Sequence, residues 1–428
     1  MVSSWRGGIN SNPPHPSLVK GGGKSLRALL VTGALGLQWF IFVVSGSVSF
    51  IVVAAALLDL QGAARAHFIT SVLIVLAVTT LVQVTAGHRL PLFEGPSTPY
   101  LAMLAVLVQV APPTAVLRAE LASSLIIAGV VIAVISWVAG TALARLLNPF
   151  VVGSFLFLLG VTLLFRLAPQ AVGHSSSRLL EPAALLALGV VLAATFIVYQ
   201  VGPPVLRALI FLVGYVAGLA AYLLAGGPVA FTVAGTSSLV APLASPLAWA
   251  DPVLVVLVVL TMLIPLVNVY ASIEAVGAAM HESPRVDLRA ATVMYGAAQI
   301  FAGLMGSIGT VPRSESSGLV AATGESSRGP LVIAGAVLLV VALAGPSVAL
   351  LAEFPVAVAT DVLLVAVIFV ALIAVRLYRR VRWTRRRAVA TAVALTLCLT
   401  LTAVSGRFGV AGVFLTNPIL PGTILAIA

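Results

Sequence analysis

The chain has 428 residues, of which 61% are apolar and only 8% charged, with a mean hydropathy of +1.18 and a net charge of +11. A soluble domain carries roughly 25% charged residues, so this composition excludes a conventional water-facing surface. The basic excess collects between apolar runs without interleaved aromatic residues, which marks topogenic loop charge and excludes a nucleic-acid surface.

The first 26 residues, rich in Gly, Pro and Ser, read as a disordered tail. Within it, Gly21-Gly22-Gly23-Lys24-Ser25 lacks the first glycine of a phosphate loop, since Leu18 holds that place, and no strand precedes it. Beyond the tail, apolar runs and breakers predict about fourteen membrane segments near 28–58, 68–86, 96–112, 118–143, 149–165, 182–200, 205–225, 252–280, 288–306, 312–325, 329–350, 355–375, 388–405 and 408–428. The runs are solid rather than alternating, so they are helices and not barrel strands. The stretch 226–251 carries no basic residue and reads as an external loop. The single cysteine, Cys398, excludes an internal disulfide or a cysteine metal cluster.

Charge tests the count. With the N-terminus in the cytoplasm, the inner side holds four basic residues up to Arg27, then Arg89, Arg145, Arg207, Arg285, Arg289 and Arg328, then seven from Arg376 to Arg387. The outer side holds Arg65, Arg118, Arg166, Arg178, Arg313 and Arg407, giving a 17:6 split that follows the positive-inside rule. The expectation is a multi-pass protein of the inner or plasma membrane with both termini cytoplasmic.

Two segments depart from an ordinary span. The third opens with Arg89-Leu90-Pro91-Leu92-Phe93-Glu94-Gly95-Pro96-Ser97-Thr98-Pro99, and the tenth with Gly306-Ser307-Ile308-Gly309-Thr310-Val311-Pro312-Arg313-Ser314-Glu315-Ser316-Ser317-Gly318. Each places Gly, Pro and hydroxyl residues where a helix should begin, then leaves too few apolar residues for a full span. Short interrupted segments at corresponding positions of two halves point to a transport site. The fifth and twelfth segments echo each other as well, Pro149-Phe150-Val151-Val152-Gly153 against Pro355-Val356-Ala357-Val358-Ala359. Seven segments per half is an odd number, so the halves are inverted repeats.

Most of the twelve acidic residues fall in loops, but Glu274 lies well inside the eighth segment and Glu315 in the broken tenth. A carboxylate at membrane depth costs at least ~2.5–3.5 kcal/mol, so it faces a cavity or a partner. A helix-packing carboxyl bonded to neighbouring backbone is the competing reading. Glu94 reads equally as a solvated residue at the mouth of the third segment or as a site residue, and Asp361, near a segment end, is open in the same way. All five histidines (His15, His67, His88, His174, His281) fall in the tail or in loops, so no histidine metal site or buried proton relay is expected. No nucleophile–base constellation, cofactor box or nucleotide-binding domain is present, which argues against an enzyme, a bound cofactor or an ATP-driven pump.

Taken in order, Leu90-Pro91 with Gly95-Pro96-Ser97, Glu274-Ala275-Val276-Gly277, and Ser314-Glu315-Ser316-Ser317-Gly318 continuing into Leu319-Val320-Ala321-Ala322-Thr323-Gly324 resemble the nucleobase–ascorbate transporters, over roughly residues 27–428. The resemblance implies two inverted seven-segment repeats forming a core domain (27–145 and 251–352) and a gate domain (146–250 and 353–428), with a short strand and a half-helix in segments three and ten. It implies a secondary transporter that imports a uracil- or xanthine-like base by proton symport and alternating access, without a metal. Glu274 and Glu315 would accept from ring N–H groups, backbone near Thr98 and Ser314 would meet ring carbonyls, Ser316 would line the site, and Gln38, Tyr100 and Arg313 would border the pocket. Relatives of this kind are often homodimers through the gate domain.

Three departures bear on substrate and coupling. Gln38 is followed by Trp39 where the family commonly has His, Ala278 stands four residues after Glu274 where it has His or Asp, and Ser316 stands where it has Asn. Glu274 is then the expected proton carrier, with an uncoupled facilitator as the alternative. Arg313, at membrane depth, either pairs with Glu315 or favours a second alternative, an anion transporter or exchanger on the same fold.

Overall fold

The computed structural model describes residues 26–146, 149–173, 180–203, 206–207, 209–227, 248–281, 286–344, 355–379 and 381–404. The predicted tail, most of the 226–251 loop and the fourteenth segment lie outside them. Among these residues the protein is mostly helical, with one two-stranded ribbon.

The first half runs α1 (Leu26–Ser45), α2 (Val48–Leu57), α3 (Gly62–Thr85), β1 (Glu94–Pro96), α4 (Thr98–Val110), α5 (Ala115–Leu146), α6 (Pro149–Ala171), α7 (Pro182–Val201) and α8 (Ile210–Leu224). The second runs α9 (Pro252–Met280), α10 (Leu288–Leu304), β2 (Thr310–Pro312), α11 (Glu315–Thr323), α12 (Gly329–Leu343), α13 (Val356–Arg379) and α14 (Arg385–Val404). Five of these helices, α3, α5, α7, α9 and α13, hold stretches long and apolar enough to cross a bilayer. Each of the first thirteen predicted segments coincides with a helix, but the first is not one run. It breaks into α1 and α2 at the turn Gly46-Ser47, where a Ser-Gly-Ser sequence has poor helix propensity.

Helix starts follow local chemistry. The Asp251 carboxylate accepts from Val253 N–H at 2.8 Å ahead of Pro252, and Asp287 accepts from Ala290 N–H at 3.1 Å, each satisfying an orphan donor of its helix. α11 stops after nine residues because Gly324 takes a left-handed conformation with φ of 70°.

The helices pack through small residues, as lipid-embedded helices do. α5 lies along α10, and α6 along α13 in antiparallel fashion, with Gly153 against Leu377 and Tyr378 and Gly160 against Ala371. α12 packs on α1 and α3, α8 on α7, and α14 on α6. A close backbone approach joins two helices of the second half: a Cβ on Gly318 of α11 would stand 2.3 Å from the Ala366 carbonyl oxygen of α13, so only glycine lets these backbones touch.

Candidate functional site

The site is built around the ribbon. β1 and β2 run antiparallel with Glu94 opposite Pro312, Gly95 opposite Val311 and Pro96 opposite Thr310. The pairing extends past both ends, since Ser97 N–H donates to Gly309 O at 2.8 Å and Arg313 N–H to Phe93 O at 3.0 Å. Proline explains the brevity: Pro91, Pro96, Pro99 and Pro312 remove donors and bar helix where the third and tenth segments begin. Each strand then hands over to a half-helix, α4 behind β1 and α11 behind β2.

A two-stranded ribbon has open edges, which at membrane depth require partners. Side chains from four helices supply them. Thr80 Oγ1 of α3 accepts from Glu94 N–H at 2.9 Å. Gln299 of α10 grips Thr310 reciprocally, its Nε2 donating to Thr310 O at 3.0 Å and its Oε1 accepting from Thr310 N–H at 3.0 Å. Asn268 Nδ2 of α9 donates to Pro312 O at 2.9 Å, while Ser316 Oγ of α11 accepts from Phe93 N–H at 3.3 Å.

Strand alternation divides the ribbon into two faces. On the face of Gly95 and Val311, the Arg313 stem crosses the strand so closely that a Cβ on Gly95 would stand 2.7 Å from Arg313 Cγ. Gly95 therefore makes room for the arginine. Its guanidinium Nη2 donates to Glu315 Oε1 at 2.8 Å, its Nη1 lies 3.4 Å from Pro96 O, and Phe50 of α2 stacks over it at 5.2 Å. The two side chains are only 4% and 3% exposed, and theirs is the one ion pair among the described residues. At the mouth of α11, Ser314 Oγ donates to Asn268 Oδ1 at 2.9 Å and lies 2.7 Å from Ser272 Oγ, while the backbone N–H groups of Ser316 and Ser317 bond back to Arg313 O and Ser314 O. At the mouth of α4, Ser97 Oγ caps Tyr100 N–H at 3.4 Å and Thr98 opens the helix.

The structure thus brings Arg313, Ser314, Glu315 and Ser316 together, with Thr98 and buried Tyr100 at the facing half-helix. Gln38 stands apart in role: its Oε1 accepts from Phe211 and Leu212 N–H at 3.2 and 3.3 Å, capping the start of α8. Glu274 is exposed, and at 100° per residue it lies roughly 120–160° around α9 from Asn268 and Ser272. Among the described residues, the α9 side chains that hydrogen-bond to the tenth-segment loop are those two, which the sequence alone did not single out. Polar residues at i and i+4 in an otherwise apolar helix were their signal.

Burial decides what loop position left open. Glu94 is not solvated at a mouth: it is 0% exposed, and neither carboxylate oxygen has a hydrogen-bond partner among the described residues. Asp361 on α13 shares both properties. Nor are the loop histidines all in water. His88, in the turn between α3 and β1, is 1% exposed, its Nδ1 accepts from Leu90 N–H at 3.0 Å, and burial pushes its pKa down to about 3. The turn folds into the protein because the ribbon that follows it is itself buried.

A family profile described as "Permease family" matches residues 32–406. A search of curated proteins returned no significant match. Among solved structures, the chain is similar to the transmembrane domain of a cyanobacterium bicarbonate transporter, BicA, at 16% identity and a TM-score of 0.55, covering 94% of this chain and 98% of that one. It is also similar to murine Solute Carrier 26 family member A9, described as an anion transporter in the inward-facing state, at 14% identity and a TM-score of 0.56, covering 95% of this chain and 69% of that one. At these identities the likeness is one of fold.

Proposed function

Because the chain belongs to the Permease family, that of the nucleobase–ascorbate transporters, it is a membrane transporter, and we propose that it imports a neutral nucleobase of the uracil or xanthine kind together with a proton. The observation that carries the reading is the buried Arg313–Glu315 pair, beside the ribbon at the start of α11. A carboxylate oxygen and a guanidinium N–H side by side match the alternating N–H and C=O edge of a planar heterocycle, with charge-assisted hydrogen bonds on both sides. The half-helix N-termini add donors of positive dipole for a further ring carbonyl.

Net charge separates this reading from anion transport. A guanidinium that binds an anion would be left uncompensated, whereas Arg313 is neutralised at 2.8 Å by Glu315. The anion reading keeps one observation in its favour: Arg313 Nε has no hydrogen-bond partner among the described residues.

In the proposed cycle the ribbon-bearing core domain carries the base past the gate domain, with both termini in the cytoplasm. Glu274 takes a proton at the outer face, is neutralised for the crossing, and releases it inside. Binding measured against uracil, xanthine, guanine, urate, ascorbate and bicarbonate tests the substrate, with a heterocycle expected to bind and bicarbonate not. The opposite ranking overturns the reading in favour of an anion. In proteoliposomes, uptake should rise as external pH falls and collapse with a protonophore, and Glu274→Gln should retain exchange but lose accumulation. Uptake indifferent to both treatments would identify an uncoupled facilitator.

A further inference from the structure

The turn between α13 and α14 holds the densest charge in the chain. Seven arginines and no lysine fall within residues 376–387, and no acidic residue occurs anywhere after Asp361. Arg379, Arg382, Arg385 and Arg386 are exposed, while Arg376 and Arg387 are half-buried. Among the described residues none of them forms an ion pair. A cluster of this size repels itself unless a counter-charge arrives from outside the chain.

Beneath the arginines sits an aromatic layer. Tyr378 and Trp383 stack with ring centroids 5.1 Å apart, Phe150 of α6 meets the Trp383 ring edge-on at 6.1 Å, and Arg387 lies 5.5 Å over the Phe150 ring. Arg387 is further tied to the turn, its Nη1 donating to Arg382 O at 2.8 Å. Trp383 remains 49% exposed beside this layer. Tryptophan and tyrosine settle at the level of lipid headgroups, and arginine forks match phosphate oxygens bidentately. A solvated topogenic loop explains the sign of the charge but does not need a packed aromatic floor.

We propose that the α13–α14 turn is a docking site for anionic phospholipid headgroups, with Trp383, Tyr378 and Phe150 setting its depth in the bilayer and the exposed arginines gripping the phosphates. The site lies on α13, the helix against which α11 packs at Gly318, so a bound lipid would hold fixed the surface along which the ribbon-bearing half-helix rests.

The test compares full-length protein in nanodiscs of phosphatidylcholine alone and of phosphatidylcholine with phosphatidylglycerol, by thermal unfolding and by counting retained lipid in native mass spectrometry. Wild type should retain phosphatidylglycerol in preference to phosphatidylcholine, unfold at a higher temperature when it is present, and lose both effects as salt rises. Changing Arg379, Arg382, Arg385 and Arg386 together to Gln should weaken retention roughly fivefold per arginine, more than a hundredfold in all. If that variant does not fold, the preference and its salt dependence in wild type decide alone. Equal retention of the two lipids by wild type overturns the proposal, as does a quadruple variant that retains phosphatidylglycerol like wild type. A stabilisation reproduced by inorganic phosphate in pure phosphatidylcholine overturns it in favour of a free-anion site.

Discussion

Removing the Glu315 side chain by Glu315→Ala would leave the Arg313 guanidinium where it is, with Pro96 O at 3.4 Å and the Phe50 ring at 5.2 Å as its remaining partners. The pair is 4% and 3% exposed, so water does not replace the lost carboxylate. Breaking a buried ion pair from one side costs about 3–5 kcal/mol, or two to three and a half decades in the folded-to-unfolded ratio. Arg313→Met strands the carboxylate instead and should also destabilise. Joint replacement by Met and Ala strands neither charge, and substituting a buried pair with apolar groups is often neutral. The double variant should therefore be more stable than Glu315→Ala alone, the reverse of additivity. Unfolding free energies from denaturant titration in mixed micelles measure all four corners of this cycle. A double variant as unstable as the sum of its singles would refute the buried-pair geometry, and with it the neutral donor–acceptor site.

The His88 imidazole, with its pKa lowered by burial from 6.5 to about 3, stays neutral in the folded protein while the unfolded chain takes up a proton below pH 6.5. Stability should thus be undiminished above that pH and fall as pH drops from about 6.5 to 3, by up to about 1.4 kcal/mol per unit from this group. His88→Asn keeps an acceptor for Leu90 N–H and should flatten that slope, and an unchanged slope in a pH-dependent unfolding series would show that the folded imidazole protonates. Asp361→Asn removes a carboxylate without partners and should leave unfolding free energy unchanged or raised, whereas a loss above about 2 kcal/mol would reveal a bond to that carboxylate.

What the sequence disclosed and what it hid divide along a physical line. Proline, glycine and hydroxyl clusters report local backbone, so the two interrupted segments were legible, and the structure places β1, β2, α4 and α11 there. Long apolar runs report length, so the helices followed. The break at Gly46-Ser47 was hidden because apolar residues continue on both sides of it and hydropathy sees no change. Contacts between distant residues left weaker traces. Glu315 was found because carboxylates are rare at membrane depth, and its pairing with Arg313 was one of two readings open for that arginine; the choice between them depends on Gly95 of the other half lying across the strand. Asn268 and Ser272 escaped notice because small polar residues in a lipid-embedded helix carry little penalty. The burial of Glu94 and His88 could not be read from their loop positions, which say nothing of depth when the loop enters the protein.

The pairing of β1 with β2 has a consequence in time. The two strands lie more than two hundred residues apart in sequence. At a synthesis rate of about 5–20 residues per second, β1 emerges roughly 10–40 s before its partner exists. During that interval the edge that β2 will occupy has no ladder, and Gln299 and Asn268, which secure β2, have not been made. The first half of the chain must therefore wait in the membrane with its central feature unfinished. The candidate site cannot assemble until well past the midpoint of synthesis, and a nascent chain halted before residue 310 holds helices but no site.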